Sequence, residues 1–227
     1  MRLALWFAGG GAFFLRNVDQ VSGMSRFVIF FCALSAALAI GAASRAEDAK
    51  PSADDAALKD KVEICSGCHG PGGVSQTDGV PNLAAEPDLF FEWQLVYFRG
   101  ETRMNELMTP AAKDLTDDDI RGLGAYFAAL PPAAPAGADR DPALTQTGGK
   151  LANERHCAQC HTQTFGGNGE VPRLAGQREE FIVKALHDYQ HGARRGRGNV
   201  IMPEIAYSLN EDDIKAIAHF MSRQPGK

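Results

Sequence analysis

One five-residue pattern occurs twice in this chain, as Cys65-Ser-Gly-Cys68-His69 and as Cys157-Ala-Gln-Cys160-His161, about 92 residues apart. The register set by the two copies holds on both sides of them. Val80-Pro81-Asn82-Leu83 falls on Val171-Pro172-Arg173-Leu174, and Gln94-Leu95-x-x-Phe98 falls on Ala185-Leu186-x-x-Tyr189. Farther on, Met108, six residues and Leu115-Thr-Asp-Asp-Asp-Ile120 fall on Met202, six residues and Leu209-Asn-Glu-Asp-Asp-Ile214. Agreement at so many spaced positions marks a duplication, so both halves take one architecture.

The halves run over residues 47–130 and 143–227. Residues 131–142 join them, and four prolines in twelve residues without apolar periodicity predict an extended tether. Each half reads as helix, long loop, helix, loop, helix, with no convincing strand, which makes the fold class mainly α. The closing helix is clearest. Thr116 caps it, Asp117 to Asp119 sit in its first turn against the positive helix end, and Ile120, Leu123 and Phe127 form one stripe before Pro131-Pro132. Its twin has Asn210 as cap, Glu211 to Asp213 in the first turn, and Ile214, Ile217, Ala218 and Met221 inward. Asp54 to Cys68 and Gly149 to Cys160 read as opening helices. Two loop-rich halves of this size bury little apolar surface by themselves, so each needs something to close around.

The pattern itself says what. Near a helix end, cysteines three apart share a face, and the histidine after the second lies four from the first on that face. Two thiols there can add to the vinyl groups of a haem while the imidazole reaches its iron; this is the c-type attachment signal. A zinc site would find no fourth ligand beside each pattern, and a thioredoxin-like dithiol needs a βαβ setting that is missing. The expected cofactors are therefore two covalently bound haem c groups, on Cys65, Cys68 and His69 and on Cys157, Cys160 and His161.

A sixth ligand separates carriers from catalysts. Met108 and Met202 hold equivalent positions ahead of the closing helix, and a thioether there closes the iron and raises its potential. The expected metal ligands are His69 with Met108 and His161 with Met202. Met104 competes in the first half but lacks the six-residue spacing. In the second, His187 and His191 have no counterparts and are expected at the surface, and His156 and His219 are read as ordinary exposed or half-buried histidines.

Residues 1–46 read as an address. From Met24, a short basic region, an uncharged run from Phe27 to Ile40 and Ser44-Arg45-Ala46 have the layout of a secretory signal peptide, cleaved before Glu47, with Met24 a possible start. The alternative is an uncleaved anchor over Phe27 to Ala43, at the short edge of what spans a bilayer. Cys32 lies within that run. The formal net charge of −5 disfavours nucleic acid as a partner. The halves differ: residues 47–130 carry seven basic and sixteen acidic side chains, residues 143–227 eleven and nine.

With these residues in place the chain resembles the class I c-type cytochromes, and specifically the two-haem cytochrome c4 family. The likeness runs from about Asp54 to Ser222. It implies two cytochrome c domains, each wrapped on its haem, that carry single electrons in the periplasm between respiratory complexes, as from a quinol-oxidising complex to a terminal oxidase. The partners so implied are redox proteins, with at most peripheral membrane contact and no catalytic residues. The alternatives are a haem-bearing subunit of a periplasmic dehydrogenase or a thiosulfate-oxidising dihaem enzyme. The resemblance also implies that Pro81 and Pro172 offer carbonyls to His69 and His161. Arg194, Arg195 and Arg197, in the loop leading to Met202, read either as a docking site for an acidic partner or as an ordinary solvated loop.

Overall fold

Every regular element in the described residues of the computed structural model, 56–135, 137–194 and 201–225, is helical, apart from one isolated bridge between Asn168 and Val171. The proposed leader over residues 1–46, with Cys32, lies outside them, as do Arg195 and Arg197. No described helix is long and apolar enough to cross a membrane. Both halves of the repeat fall within one compact unit, Asp48–Lys227.

The first half contains α1 (Ala56–His69), a single 3-10 turn, α2 (Asp88–Arg99), α3 (Met108–Ala112) and α4 (Asp117–Ala128). The second contains α5 (Pro142–Glu154), α6 (Cys157–His161), α7 (Glu179–Gln190), α8 (Met202–Tyr207) and α9 (Glu211–Ser222). The opening helix of the second half was expected to run unbroken to Cys160. Instead α5 stops at Glu154, His156 takes a left-handed φ of 57°, and α6 restarts at Cys157. A left-handed residue cannot continue the i to i−4 ladder, so the break is sharp. The first half has no such residue there, and α1 runs through His69.

The closing helices follow their sequence signals. In α4, Thr116 Oγ1 accepts from Asp119 N at 3.1 Å and Asp119 Oδ2 accepts from Thr116 N at 2.9 Å. Asn210 and Asp213 do the same at α9, at 2.9 and 3.2 Å. Each reciprocal pair satisfies two donors that a helix start leaves orphaned. The expected stripes face inward. Ile120, Leu123 and Phe127 join Leu58, Val62, Phe91, Leu95 and Phe98 in one core. Ile214, Ile217, Ala218 and Met221 join Ala152, Ile182, Leu186 and Tyr189 in the other.

In each half the first helix packs against the last, α1 on α4 and α5 on α9. The second pair is closer. A Cβ on Gly148 would lie 2.0 Å from Ala216 O and 2.7 Å from Phe220 Cβ, so only glycine lets the two backbones meet there. Apart from Pro142, which opens α5, the proline-rich segment has no helix or strand among its described residues, yet it is not loose. Ala133 is buried, and Asp141 Oδ1 caps α5 by accepting from Leu144 N at 2.9 Å.

Because the obstacle at Gly148 is backbone rather than a movable side chain, Gly148→Ala is expected to destabilise the protein by about 1–3 kcal/mol. Denaturant unfolding of the haem-loaded protein checks this. A variant as stable as the parent would show that α5 and α9 are not locked at this point.

Candidate functional site

Each Cys-x-x-Cys-His pattern ends a helix, and in each the histidine is the buried member, 6% exposed in both halves. His69 Nδ1 lies 2.8 Å from Pro81 O, and His161 Nδ1 lies 2.9 Å from Pro172 O. A carbonyl only accepts, so Nδ1 carries the proton and donates in both rings. That fixes the tautomer and leaves Nε2 with its lone pair, the atom a metal needs. Burial lowers the pKa of both imidazoles, against the pull of the proline carbonyls, so they stay neutral and able to ligate.

The chain turns sharply after each ring. Gly70, with φ 79°, follows His69, and a Cβ there would lie 2.0 Å from Val74 O. The equivalent Thr162 takes φ 70° despite its branched side chain, a strained conformation held by its surroundings.

The four described cysteines are free thiols. Cys65 and Cys157 are partly buried against the two cores, while Cys68 and Cys160 are exposed. Burial pushes the Cys65 thiol up to about 11 and raises that of Cys157. Met108 packs against the same core as Cys65, and Met202 against the same core as Cys157. Each methionine opens a short helix, α3 or α8, where a loop position had been expected. Met104 is 65% exposed and takes no part in the core.

In the second half, Cys157, Cys160, His161 and Met202 line one largely apolar cavity together with Leu186 and Tyr189. Two unpaired thiols, a neutral imidazole with a bare Nε2 and a thioether around an apolar space are a donor set that fits a covalently held haem. The first half supplies the same set from equivalent positions. No described group of three or more His, Cys, Asp or Glu side chains forms a rival metal site.

The two halves meet through hydrogen bonds that repeat with the duplication. Asn82 N donates to Gln177 Oε1 at 2.8 Å, and Arg173 N donates to Glu86 Oε2 at 3.1 Å. Asn82 Nδ2 donates to Gly176 O at 2.9 Å, and Arg173 Nε donates to Ala85 O at 3.1 Å. Glu86 and Gln177 stand 91 residues apart, as do Asn82 and Arg173, so each bond is the other's counterpart about a local two-fold axis. Gln177 Nε2 closes the set, donating to Asn82 O at 2.9 Å and Glu86 Oε1 at 3.3 Å. A salt bridge and a hydrogen bond flank it: Arg178 Nη2 meets Asp78 Oδ1 at 2.9 Å, and Trp93 Nε1 donates to Glu170 Oε1 at 3.0 Å.

Two sequence expectations change here. Arg194 is not a docking group: it is 4% exposed, its guanidinium lies 4.9 Å from the Tyr189 ring centre, and its Nη2 donates to Gln94 Oε1 at 3.2 Å. Arg103, its repeat counterpart, donates to the same oxygen at 2.6 Å. His219 is buried rather than exposed or half-buried, with Nδ1 3.1 Å from Glu179 Oε2 and Nε2 3.3 Å from Asp139 Oδ1. His187 and His191 stay outside the cavity; His187 Nε2 is 2.9 Å from Glu211 Oε2, and His191 is exposed. His156 is exposed at the cavity edge. The pairing of Glu86 with Arg173 and Gln177 was missed. Its signal was present, since Asn82 and Arg173 sit inside the aligned Val-Pro-x-Leu segments.

The cytochrome c family model matches residues 145–224. Cytochrome c4 of Azotobacter vinelandii is 33% identical over 187 residues, covering 74% of this chain and 88% of that protein. The thiosulfate dehydrogenase electron acceptor of Stutzerimonas stutzeri (strain A1501) is 28% identical over 196 residues, covering 82% and 91%. Among solved structures, reduced recombinant cytochrome c4 from Pseudomonas stutzeri superposes with a TM-score of 0.68 at 28% identity, covering 77% of this chain and all of that one.

Gln177→Ala removes a buried amide that satisfies Asn82 and Glu86 across the halves. It is expected to cost about 1–3 kcal/mol by leaving those partners unpaired, with haem content unchanged. Denaturant unfolding beside a haem assay checks it; an unchanged midpoint would mean that water replaces the amide.

Proposed function

The chain belongs to the cytochrome c4 family, and on that premise we propose that it is a periplasmic dihaem cytochrome passing single electrons between redox proteins. The observation that carries this reading is the pair of histidines locked by Pro81 and Pro172, each behind two free thiols and each with a methionine on the same core. A haem at each site supplies a one-electron ferric/ferrous couple. The domains are residues 47–130 and 143–227, joined by 131–142, behind a signal peptide at 1–46.

In this reading Cys65, Cys68, Cys157 and Cys160 tether the groups through thioether bonds. His69 and Met108 would ligate the first iron and His161 and Met202 the second, which would leave no site open for a small substrate. The apolar walls exclude water and keep solvent reorganisation small as the charge changes. The chain thus tunes, insulates and docks, and performs no bond-making of its own. The likeness to the thiosulfate dehydrogenase electron acceptor favours a second reading of the donor, a periplasmic thiosulfate-oxidising enzyme instead of a quinol-oxidising complex. Reduction of the protein by each purified donor separates the two.

The purified protein is expected to gain the mass of two haems. Met108→Ala and Met202→Ala should each remove part of the sulfur-to-iron absorption and lower one midpoint potential while sparing the other. Two unchanged potentials in both variants would overturn the ligand assignment, and one haem or none would overturn the dihaem reading.

A further inference from the structure

Glu86 belongs to the first half, yet it forms part of the wall of the second half's cavity, together with Arg173, Gln177 and Arg194. It is 4% exposed. Its carboxyl is held from two sides, Oε2 accepting from Arg173 N and Oε1 from Gln177 Nε2. We propose that Glu86 is the group that couples electron uptake at the second iron to uptake of one proton. This rests on the reading of the second Cys-x-x-Cys-His pattern as a haem site.

The duplication makes the case. At the equivalent position the second half has Gln177, which takes the equivalent hydrogen bond from Asn82 N. An amide cannot titrate, whereas a carboxyl in the same frame can. The acid is the departure from two-fold symmetry, and its second oxygen serves as the acceptor for Gln177 Nε2. A buried carboxylate beside an apolar cavity is costly unless positive charge faces it. Arg173 and Arg194 face it and pull its pKa down, but burial outweighs them and lifts it to about 7. Other charged groups stand farther round. Arg103 meets Arg194 through their shared Gln94 oxygen, Asp88 opens α2 two residues on, and Arg155, His156 and Glu170 line the same cavity. Arg178 is taken by Asp78 and Glu180.

The sign follows from Coulomb's law. Ferric iron adds a positive charge that favours carboxylate, and ferrous iron withdraws it. When a haem held there takes one electron from the redox partner, Glu86 would take one proton from solvent hydronium, one O–H bond forming on the carboxyl as one breaks on the hydronium. On re-oxidation the electron passes to the next partner and the proton returns to solvent. The potential of the second haem must then fall as pH rises between the ferric-state and ferrous-state pKa values. A tenfold difference in proton affinity between the two states corresponds to about 59 mV, and the slope cannot exceed about 59 mV per pH unit.

The test is spectroelectrochemical titration of the two-haem protein at a series of pH values spanning about two units either side of 7. Met202→Ala identifies the second half's wave by displacing it. In the native protein that wave is expected to fall with pH more steeply than the other. Glu86→Gln, which keeps the shape of the side chain but cannot titrate, is expected to flatten it. A slope that survives in Glu86→Gln belongs to the haem carboxylates and overturns the proposal. If the variant fails to accumulate, the native protein labelled with carbon-13 glutamate decides. Reduction near pH 7 should raise a carboxylic-acid infrared band that moves with the label, and a band that ignores the label overturns the proposal. A mass increment for fewer than two haems would instead overturn the haem reading beneath it.

Discussion

The contact between the first and last helices of each half is the interaction on which the site depends. In the first half it holds the end of α1, where the cysteines and histidine sit, against the helix that follows the methionine; in the second half those residues sit on the short α6, which packs on α5. In the second half the contact is close enough that Gly148 has no room for a Cβ. The loop between returns to the same helix end through one hydrogen bond, from His Nδ1 to a proline carbonyl, and that bond also sets which ring nitrogen is free. Packing and ligand chemistry are thus one arrangement, since a shift of the helix pair would move the ring away from its acceptor.

The halves are joined by polar contacts. A duplicated chain folding on itself can pair like with like, and it does so here: Asn82 with Gln177 and Gly176, Arg173 with Glu86 and Ala85. Most members are buried, so each must be satisfied or impose a desolvation cost. Such a network specifies one relative placement more sharply than an apolar patch would. Its two-fold symmetry is broken at Glu86 and Gln177, and at Gln94, which serves both Arg103 and Arg194. Two sites built from one sequence pattern therefore stand in different electrostatic surroundings.

The sequence alone determined the local chemistry and the fold class. Cys-x-x-Cys-His, its repetition and the methionine register are short-range or periodic signals. Capping at Thr116 and Asn210 and the apolar stripes of the closing helices depend only on neighbours three and four residues away, so they were legible. The break at His156 was not, because nothing in its residue type demands a left-handed φ. Only the tertiary structure decided what lies between the halves. The arginine beside the second methionine loop reads in sequence as a surface charge, yet Arg194 is buried against Tyr189 and Gln94. The burial of Glu86 and His219 is equally invisible along the chain, because their partners lie 40 to 91 residues away. Desolvation and charge pairing are set by what surrounds a group in space, and a linear pattern encodes that only after the chain has closed on itself.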